Sequence, residues 1–373
     1  MTSSYDSFSL VRGVSLGIGM SIREGGLRVS RRTVLQAGAA VGLAAGSLAT
    51  LSIAGCSQPQ KSALGGLRFV FIVKTPNSDY WQTCLAGGKH AAEQLGLQAL
   101  QFTGANSEAN IQGQIALVED ALAKHPDYVV LSPTSSTALD STIEKVYNAG
   151  IKVILIDSAA NTNSYTSFLA TDNHAGGVLA AHTLADAIKK KTGAAAGQVA
   201  YSTFLSGVGS LSLRDQGFLE GLKSYPAIQV VAHKDAGGDQ STKPIGIVAD
   251  TLTRFPRLTG YFADSLITLE GAVTAFRENR VDSTKVSLVG FDPSLQLVRS
   301  LQERVVDGII LQDPYQMGYG GVAYGVLASA GLLTPKFINT GVTAATPDNV
   351  NSPAIQGLLN PLTQRNLGLP ARS

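Results

Sequence analysis

Short apolar runs alternate with longer amphipathic segments along most of this 373-residue chain. Leu67–Lys74 (LRFVFIVK) is typical of the short runs, because its continuous β-branched and aromatic residues suit a parallel strand buried on both faces. In the segment that follows, Trp81, Cys84 and Leu95 have the spacing of one helical face, where Cys84 would pack as a small apolar residue. Repeated strand–helix units predict parallel sheets with helices on both faces.

The predicted strands form two groups of five, separated at Asp172. They span residues 67–74, 98–102, 127–131, 151–156 and 165–170, and then 198–204, 228–233, 258–263, 286–290 and 308–311. We therefore expect an α/β protein with two doubly wound parallel-sheet lobes joined by a multi-crossing hinge. A (β/α)8 barrel is the alternative fold, but the restart of the pattern after Asp172 favours two lobes.

The same pattern predicts the lobe boundaries. We expect the N-terminal lobe at residues 67–171 plus about 314–335, and the C-terminal lobe at 172–313 plus about 336–362, with a tail at 363–373. The chain would then cross between the lobes near Asp172, near Asp313 and at Thr334–Lys336.

Positive charge is concentrated at the start of the chain. The first 55 residues contain five basic and two acidic residues, which leaves 24 basic and 25 acidic residues elsewhere. Arg31 and Arg32 precede an uncharged run, rich in Ala, Gly and Leu, from Thr33 to Gly55. A basic region, an apolar run and small residues at its end predict a secretory signal, and the paired arginines resemble the twin-arginine export signal.

The uncharged run ends in a sequence, Leu51–Cys56 (LSIAGC), that resembles a bacterial lipobox, in which Cys56 would be lipidated. We therefore expect a lipoprotein signal at residues 1–56 and a short polar linker at 57–66. An uncleaved transmembrane anchor is the alternative, because 23 uncharged residues could span the membrane. The weak hydrophobicity of the run favours the lipoprotein signal. Met20 is a second candidate start, since residues 1–19 add nothing to the signal.

Composition excludes several classes of function. A net charge near zero provides no positive electrostatic field to attract nucleic acid, and two cysteines cannot build a disulfide framework. The five histidines have no metal-ligand spacing, and no phosphate-binding loop pattern occurs. Gly207–Ser210 lacks the frame of a hydrolase nucleophile elbow. We expect no cofactor, no metal and no nucleic-acid partner.

Polar and aromatic side chains follow the predicted strands. In open α/β sheets, ligands bind outside the carboxyl ends of the strands, so these side chains are candidate ligand contacts. They combine carboxylate, amide, guanidinium, hydroxyl and aromatic groups, as a sugar requires: Ser78, Tyr80, Trp81, Asp157, Ser158, Arg214, Ser265, Asp292 and Gln312. Aromatic rings can cover the apolar faces of a sugar ring.

Six motifs in order resemble the periplasmic sugar-binding proteins of ABC transporters, specifically their ribose-binding-like group. The resemblance covers about residues 67–342 and implies the type I periplasmic-binding-protein fold. The motifs are FVFIVKTPNSDYW at 69–81, ILID at 154–157, LATDN at 169–173, RDQGF at 214–218, VGFD at 289–292 and ILQDPYQMG at 310–318. Each motif is weak alone, and their shared order makes the resemblance specific.

The resemblance also implies roles for individual residues. Tyr80 and Trp81 would sandwich the sugar ring. Asp157 and Asp292 would accept hydrogen bonds from its hydroxyl groups, and Arg214 would donate to it.

Gln312 would bridge near the hinge, and Asn173, in the motif that crosses into the second lobe, would also contact the ligand. Three positions depart from the ribose binders. Ser78 and Ser265 each stand where those proteins have Asn, and Ser158 stands where they have Arg. Shorter side chains imply a larger or differently hydroxylated ligand, which puts ribose itself in doubt.

The implied function is a lipid-anchored, extracytoplasmic and monomeric solute-binding protein. It would close over a monosaccharide or sugar alcohol and deliver it to a membrane ABC permease, without catalysis. A sensory protein of the same fold, signalling to a membrane receptor, is the alternative. A sugar-responsive repressor would need a DNA-binding motif where the export signal stands. A hydrolase using Asp157 and Asp292 has no support in the sequence.

Overall fold

The structure, a computed structural model, describes residues 66–360. Its first sheet contains β1 Arg68–Val73, β2 Gln98–Gly104, β3 Tyr128–Leu131, β4 Lys152–Ile156, β5 Ser167–Ala170 and β11 Phe337–Asn339. The strand order is β11-β5-β4-β3-β1-β2, and every pair is parallel. Four helices cover this sheet: α1 Asp79–Leu95, α2 Ile111–Ala123, α3 Asp140–Asn148 and α9 Pro314–Ser329. Together they form the first lobe.

The second sheet contains β6 Gly197–Thr203, β7 Ile228–Asp235, β8 Leu258–Ala263, β9 Ser287–Phe291, β10 Gly308–Leu311 and β12 Thr343–Ala345. Its order, β12-β10-β9-β8-β6-β7, repeats the first sheet, except that β12 is antiparallel. Six helices complete the second lobe: α4 Asn173–Thr192, α5 Gly209–Leu222, α6 Lys243–Arg254, α7 Leu266–Glu278, α8 Leu295–Gln302 and α10 Pro353–Leu359. The predicted fold of two doubly wound lobes is confirmed.

Alternating residues of each central strand build two cores per lobe, because successive side chains point to opposite faces. In β1, Phe69 and Phe71 pack towards α1 and α9, whereas Val70 and Ile72 pack towards α2 and α3. This explains why the strands read as continuous apolar runs. Within residues 66–360, no helix combines the length and the apolar character needed to cross a membrane.

The chain crosses between the lobes three times. β5 of the first lobe leads into α4 of the second, and β10 of the second lobe leads into α9 of the first. The third crossing differs from the predicted range Thr334–Lys336, since β11 still pairs with β5 and the chain crosses only between Asn339 and Thr343. A three-residue edge strand is too short to produce a recognisable pattern.

Ten predicted strands correspond to β1–β10, whereas β11, β12, α8 and α10 were not predicted from the sequence. The α9 helix begins at Pro314, directly after Asp313, whose side chain caps it by accepting from the Gln316 amide. Cys84 is a buried free thiol in the α1 core, as its helical spacing predicts.

Candidate functional site

A cleft between the two lobes lies at the carboxyl ends of their strands. It contains about 460 Å³ of space free of protein atoms, counting its opening to solvent. Eight of the predicted ligand contacts line it: Ser78, Tyr80, Trp81, Asp157, Arg214, Ser265, Asp292 and Gln312. The fold therefore brings these side chains together from both lobes, and their contact with a ligand stays a prediction.

Asp157 follows β4 and is the polar centre of the first-lobe wall. Its carboxylate accepts hydrogen bonds from Tyr80 Oη at 2.7 Å and Ser158 Oγ at 2.7 Å, and Lys74 Nζ lies 3.0 Å away. Burial alone would raise the pKa of Asp157, but the Lys74 ammonium and the hydrogen bond from Tyr80 outweigh it and lower this pKa. Asp157 is therefore a charged, firmly held acceptor.

Asp292 follows β9 and has the equivalent place in the second lobe. Gln312 Nε2 donates to its Oδ1 at 2.8 Å, and Arg214 Nη1 lies 3.6 Å from its Oδ2. Burial raises the pKa of Asp292, and the neighbouring Arg214 and Gln312 compensate only in part. Gln312 Oε1 is buried without a protein partner, so a hydroxyl donor in the cleft would satisfy it.

Arg214 on α5 is held in place by contacts with other protein groups. Its Nε donates to Asn173 Oδ1 at 2.9 Å, and its Nη1 donates to the Asp264 carbonyl oxygen at 2.8 Å. The guanidinium stacks 4.0 Å from the centroid of the Phe291 ring. Asn173, also predicted as a ligand residue, is absent from the cleft lining and holds the Arg214 side chain, so its contact with a ligand stays a prediction.

Aromatic and hydroxyl side chains complete the first-lobe wall. Tyr80 and Trp81 pack edge to face, with ring centroids 4.8 Å apart, and Trp81 Nε1 donates to Glu108 Oε1 at 2.9 Å. Ser78 is the N-cap of α1, and Ser265 has the same role for α7, so both hydroxyls stabilise helix starts while facing the cleft.

The two lobes contact each other directly beside the cleft. Ser158 Oγ lies 2.9 Å from Ser210 Oγ of the second lobe, so Ser158 acts through Asp157 and this contact and does not line the cleft itself. The Ser136 amide also donates to the Gly207 carbonyl oxygen at 3.1 Å. These bonds across the gap hold the lobes in a closed arrangement.

Sequence reasoning missed seven residues of the cleft lining: Lys74, Glu108, Phe204, Ser210, Leu211, Leu266 and Ile267. Lys74 and Phe204 each end a predicted strand, and their position one residue past β1 and β6 was a usable signal. Glu108 lies in the middle of the loop that joins β2 to α2, away from the strand end itself, so a reading of the residues next to strand ends does not find it. Among residues 66–360, no cluster of three or more His, Cys, Asp and Glu side chains is arranged to hold a metal. Arg31, Arg32 and Cys56 lie outside the described residues.

Comparison with known proteins gives consistent matches. The family profile described as "Periplasmic binding protein domain" matches residues 69–331. The ribose import binding protein RbsB of Escherichia coli (strain K12) is 26% identical over 277 residues, which are 74% of this chain and 90% of that protein.

Two solved structures extend the comparison. A carbohydrate transporter solute-binding protein from Agrobacterium radiobacter, in complex with D-arabinose, is 38% identical with a TM-score of 0.77, covering 79% of this chain and 99% of that one. An ABC transporter solute-binding protein from Agrobacterium vitis with bound D-fucose is 29% identical with a TM-score of 0.73, covering 78% of this chain and 99% of that one.

Proposed function

This chain belongs to the periplasmic binding protein domain family, and we propose that it is the extracytoplasmic solute-binding protein of a sugar ABC transporter. It captures a monosaccharide or sugar alcohol between its lobes and delivers it to a membrane permease. Its named relatives are sugar-binding transport proteins, which supports binding without catalysis.

One observation carries the proposal: two buried carboxylates, one from each lobe, face a single cleft together with Arg214 and an aromatic pair. Asp157 and Asp292 can each accept from a ligand hydroxyl, while Arg214 can donate to a ring oxygen or hydroxyl. Because these groups come from both lobes, a bound sugar bridges them and stabilises the closed arrangement.

Calorimetry on the full chain tests this function. The panel contains neutral sugars and polyols: D-arabinose, D-ribose, D-fucose, D-allose and ribitol. We expect at least one to bind in the micromolar range, at about −8 kcal/mol. If no member of the panel binds below about 1 mM, at about −4 kcal/mol, the proposed function is wrong.

We further propose that the protein is a monomer anchored by a lipid on Cys56 and exported through the paired arginines. Support comes from the sequence alone, where Cys56 ends a lipobox-like run behind Arg31 and Arg32. Cys56→Ser should release the protein from membranes, and replacing both arginines with lysine should block export. Unchanged membrane attachment of C56S would exclude the lipid anchor, and light scattering of the released protein would test the monomer.

A further inference from the structure

Glu108 is a cleft carboxylate that no predicted role accounts for. It precedes α2 and lines the same cleft as Asp157 and Asp292. Its Oε1 accepts a hydrogen bond from Trp81 Nε1 at 2.9 Å. This bond fixes the carboxylate against the indole ring in the first-lobe wall of the cleft. Trp81 is itself 2% exposed, so Glu108 is attached to a rigid element.

The cations of the cleft are already engaged. Lys74 Nζ contacts Asp157 Oδ2 at 3.0 Å and donates to Ser158 Oγ at 2.8 Å, and Lys74 is 3% exposed. Arg214 faces Asp292 and donates to Asn173 and to the Asp264 backbone. The lining thus holds two cations and three carboxylates. Lys74 pairs with Asp157 and Arg214 with Asp292, whereas Glu108 forms no such ion pair and feels the Lys74 charge only from a greater distance.

The charged groups of the cleft lining determine which class of ligand fits. Burial raises the pKa of Glu108 because its charged form loses hydration, and the Lys74 charge and the Trp81 hydrogen bond offset this rise only in part. A hydrogen-bond donor beside its second oxygen would therefore stabilise the carboxylate. A sugar hydroxyl can be that donor. A ligand carboxylate cannot, and it would add like charge where no free cation compensates it.

We propose that Glu108, positioned by Trp81, is a specificity-determining residue that accepts a hydrogen bond from a hydroxyl of a neutral sugar and excludes sugar acids from the cleft. This inference rests on the proposed sugar-binding function. It assigns charge selectivity to one residue, separate from the carboxylates that follow β4 and β9.

Glu108→Gln tests the inference, because it removes the charge and keeps the size and an acceptor oxygen. The probes are D-fucose, D-galactose and D-galacturonate, which share one ring configuration and differ only at C6, which carries a methyl, a hydroxymethyl and a carboxylate group, respectively. D-arabinose is a further neutral probe. Glu119→Gln on the exposed face of α2 is the matched control for charge. Calorimetry compares the tightest neutral probe with D-galacturonate for each variant.

We expect the native chain to prefer the neutral probe at least about tenfold, and E108Q to reduce this preference at least about tenfold, while E119Q leaves it unchanged. A structural role alone would weaken both ligands equally and leave their ratio unaltered, which would overturn the inference. Tighter binding of D-galacturonate by the native chain would overturn it too, without affecting the binding function. If no neutral probe of this set binds, the inference fails, whereas the proposed function fails only if D-ribose, D-allose and ribitol do not bind either.

Discussion

Asp157 and Asp292 occupy equivalent positions in the two lobes, but their pKa values are shifted in opposite directions. Each follows the fourth strand of its sheet, each has a positive φ, of 63° and 67°, and each backbone amide donates to the neighbouring strand, at Leu169 and Ile310. Lys74 contacts Asp157 and lowers its pKa against burial, whereas burial raises the pKa of Asp292. The cleft thus combines a firmly ionised acceptor with one that gains more from a ligand donor.

Asp292→Ala should weaken sugar binding at least about tenfold, or about 1.4 kcal/mol. The substitution removes an acceptor and leaves Arg214 and Gln312 without their carboxylate partner. Calorimetry with the best-binding neutral sugar measures the effect. Asp250→Ala, at an exposed position of α6, controls for loss of a carboxylate and should bind normally. Unchanged affinity of D292A would remove Asp292 from the site.

Lys74→Met should destabilise the protein by about 3–5 kcal/mol at pH 7, because it leaves the buried Asp157 charge without its partner. The loss should shrink near pH 4, where the unpaired carboxyl takes up a proton. The native Asp157 has a lowered pKa, so its contribution to stability is present above the unfolded value of about 3.9 and is lost as pH falls below it.

Urea unfolding at pH 7 and pH 4 measures this difference for Lys74→Met. Lys234→Met, at an exposed position of β7, is the matched control and should leave the free energy of unfolding within about 0.5 kcal/mol of the native value. Equal destabilisation by K74M at both pH values would show that Lys74 acts through packing and not through the Asp157 charge.

Sequence patterns predicted the sheets well because each central strand is buried on both faces. A short, continuous apolar run such as residues 69–73 is typical of a strand of this kind. The site was predicted as far as strand ends reveal it: Asp157 and Asp292 both follow a strand. Glu108 depends on how a loop folds back against Trp81, and the role of Asn173 depends on where the Arg214 side chain lies. Such contacts between distant residues leave no periodic signal.

Stability should fall as pH rises from about 4 to about 6, because burial raises the pKa values of Asp215 and Asp264. Asp215 Oδ1 and Asp264 Oδ2 are both buried without a hydrogen-bond partner, which disfavours the charged form of each carboxyl. Burial raises the pKa of Asp215 to about 6, with Asp235 adding to the rise and Thr203 and Arg214 opposing it, and burial together with Asp215 raises the pKa of Asp264. His233, hydrogen-bonded to Thr203, has its pKa lowered by burial.

The direction of this pH dependence follows from the numbers of protons that the folded and unfolded states bind. Between these pH values the unfolded carboxyls lose protons that Asp215 and Asp264 keep in the folded state, so unfolding releases protons and becomes more favourable as pH rises. Urea unfolding from pH 4 to pH 6.5 should show this slope in the native chain, a flatter one in Asp215→Asn, and the native one in the exposed control Asp250→Asn. A D215N profile parallel to the native profile would show that Asp215 does not keep its proton in the folded state over this pH range.

Gly217→Ala should destabilise the protein by about 2–3 kcal/mol, because α4 and α5 pack backbone against backbone at this residue. A Cβ at Gly217 would overlap the carbonyl oxygen of His174, and one at Gly177 would overlap that of Arg214. Since α5 carries Arg214, separating the two helices should also shift the guanidinium and weaken sugar binding.

Gly246→Ala on α6 is the matched substitution, since a Cβ there meets no atom within 4 Å. It should stabilise the protein by about 0.5–1 kcal/mol, because alanine costs less backbone entropy in a helix than glycine. Thermal and urea unfolding of both variants provide the comparison, and calorimetry follows the sugar affinity. If G217A were as stable as the native chain, the close approach of α4 and α5 would have to be relieved by small shifts, and Arg214 would not depend on this glycine.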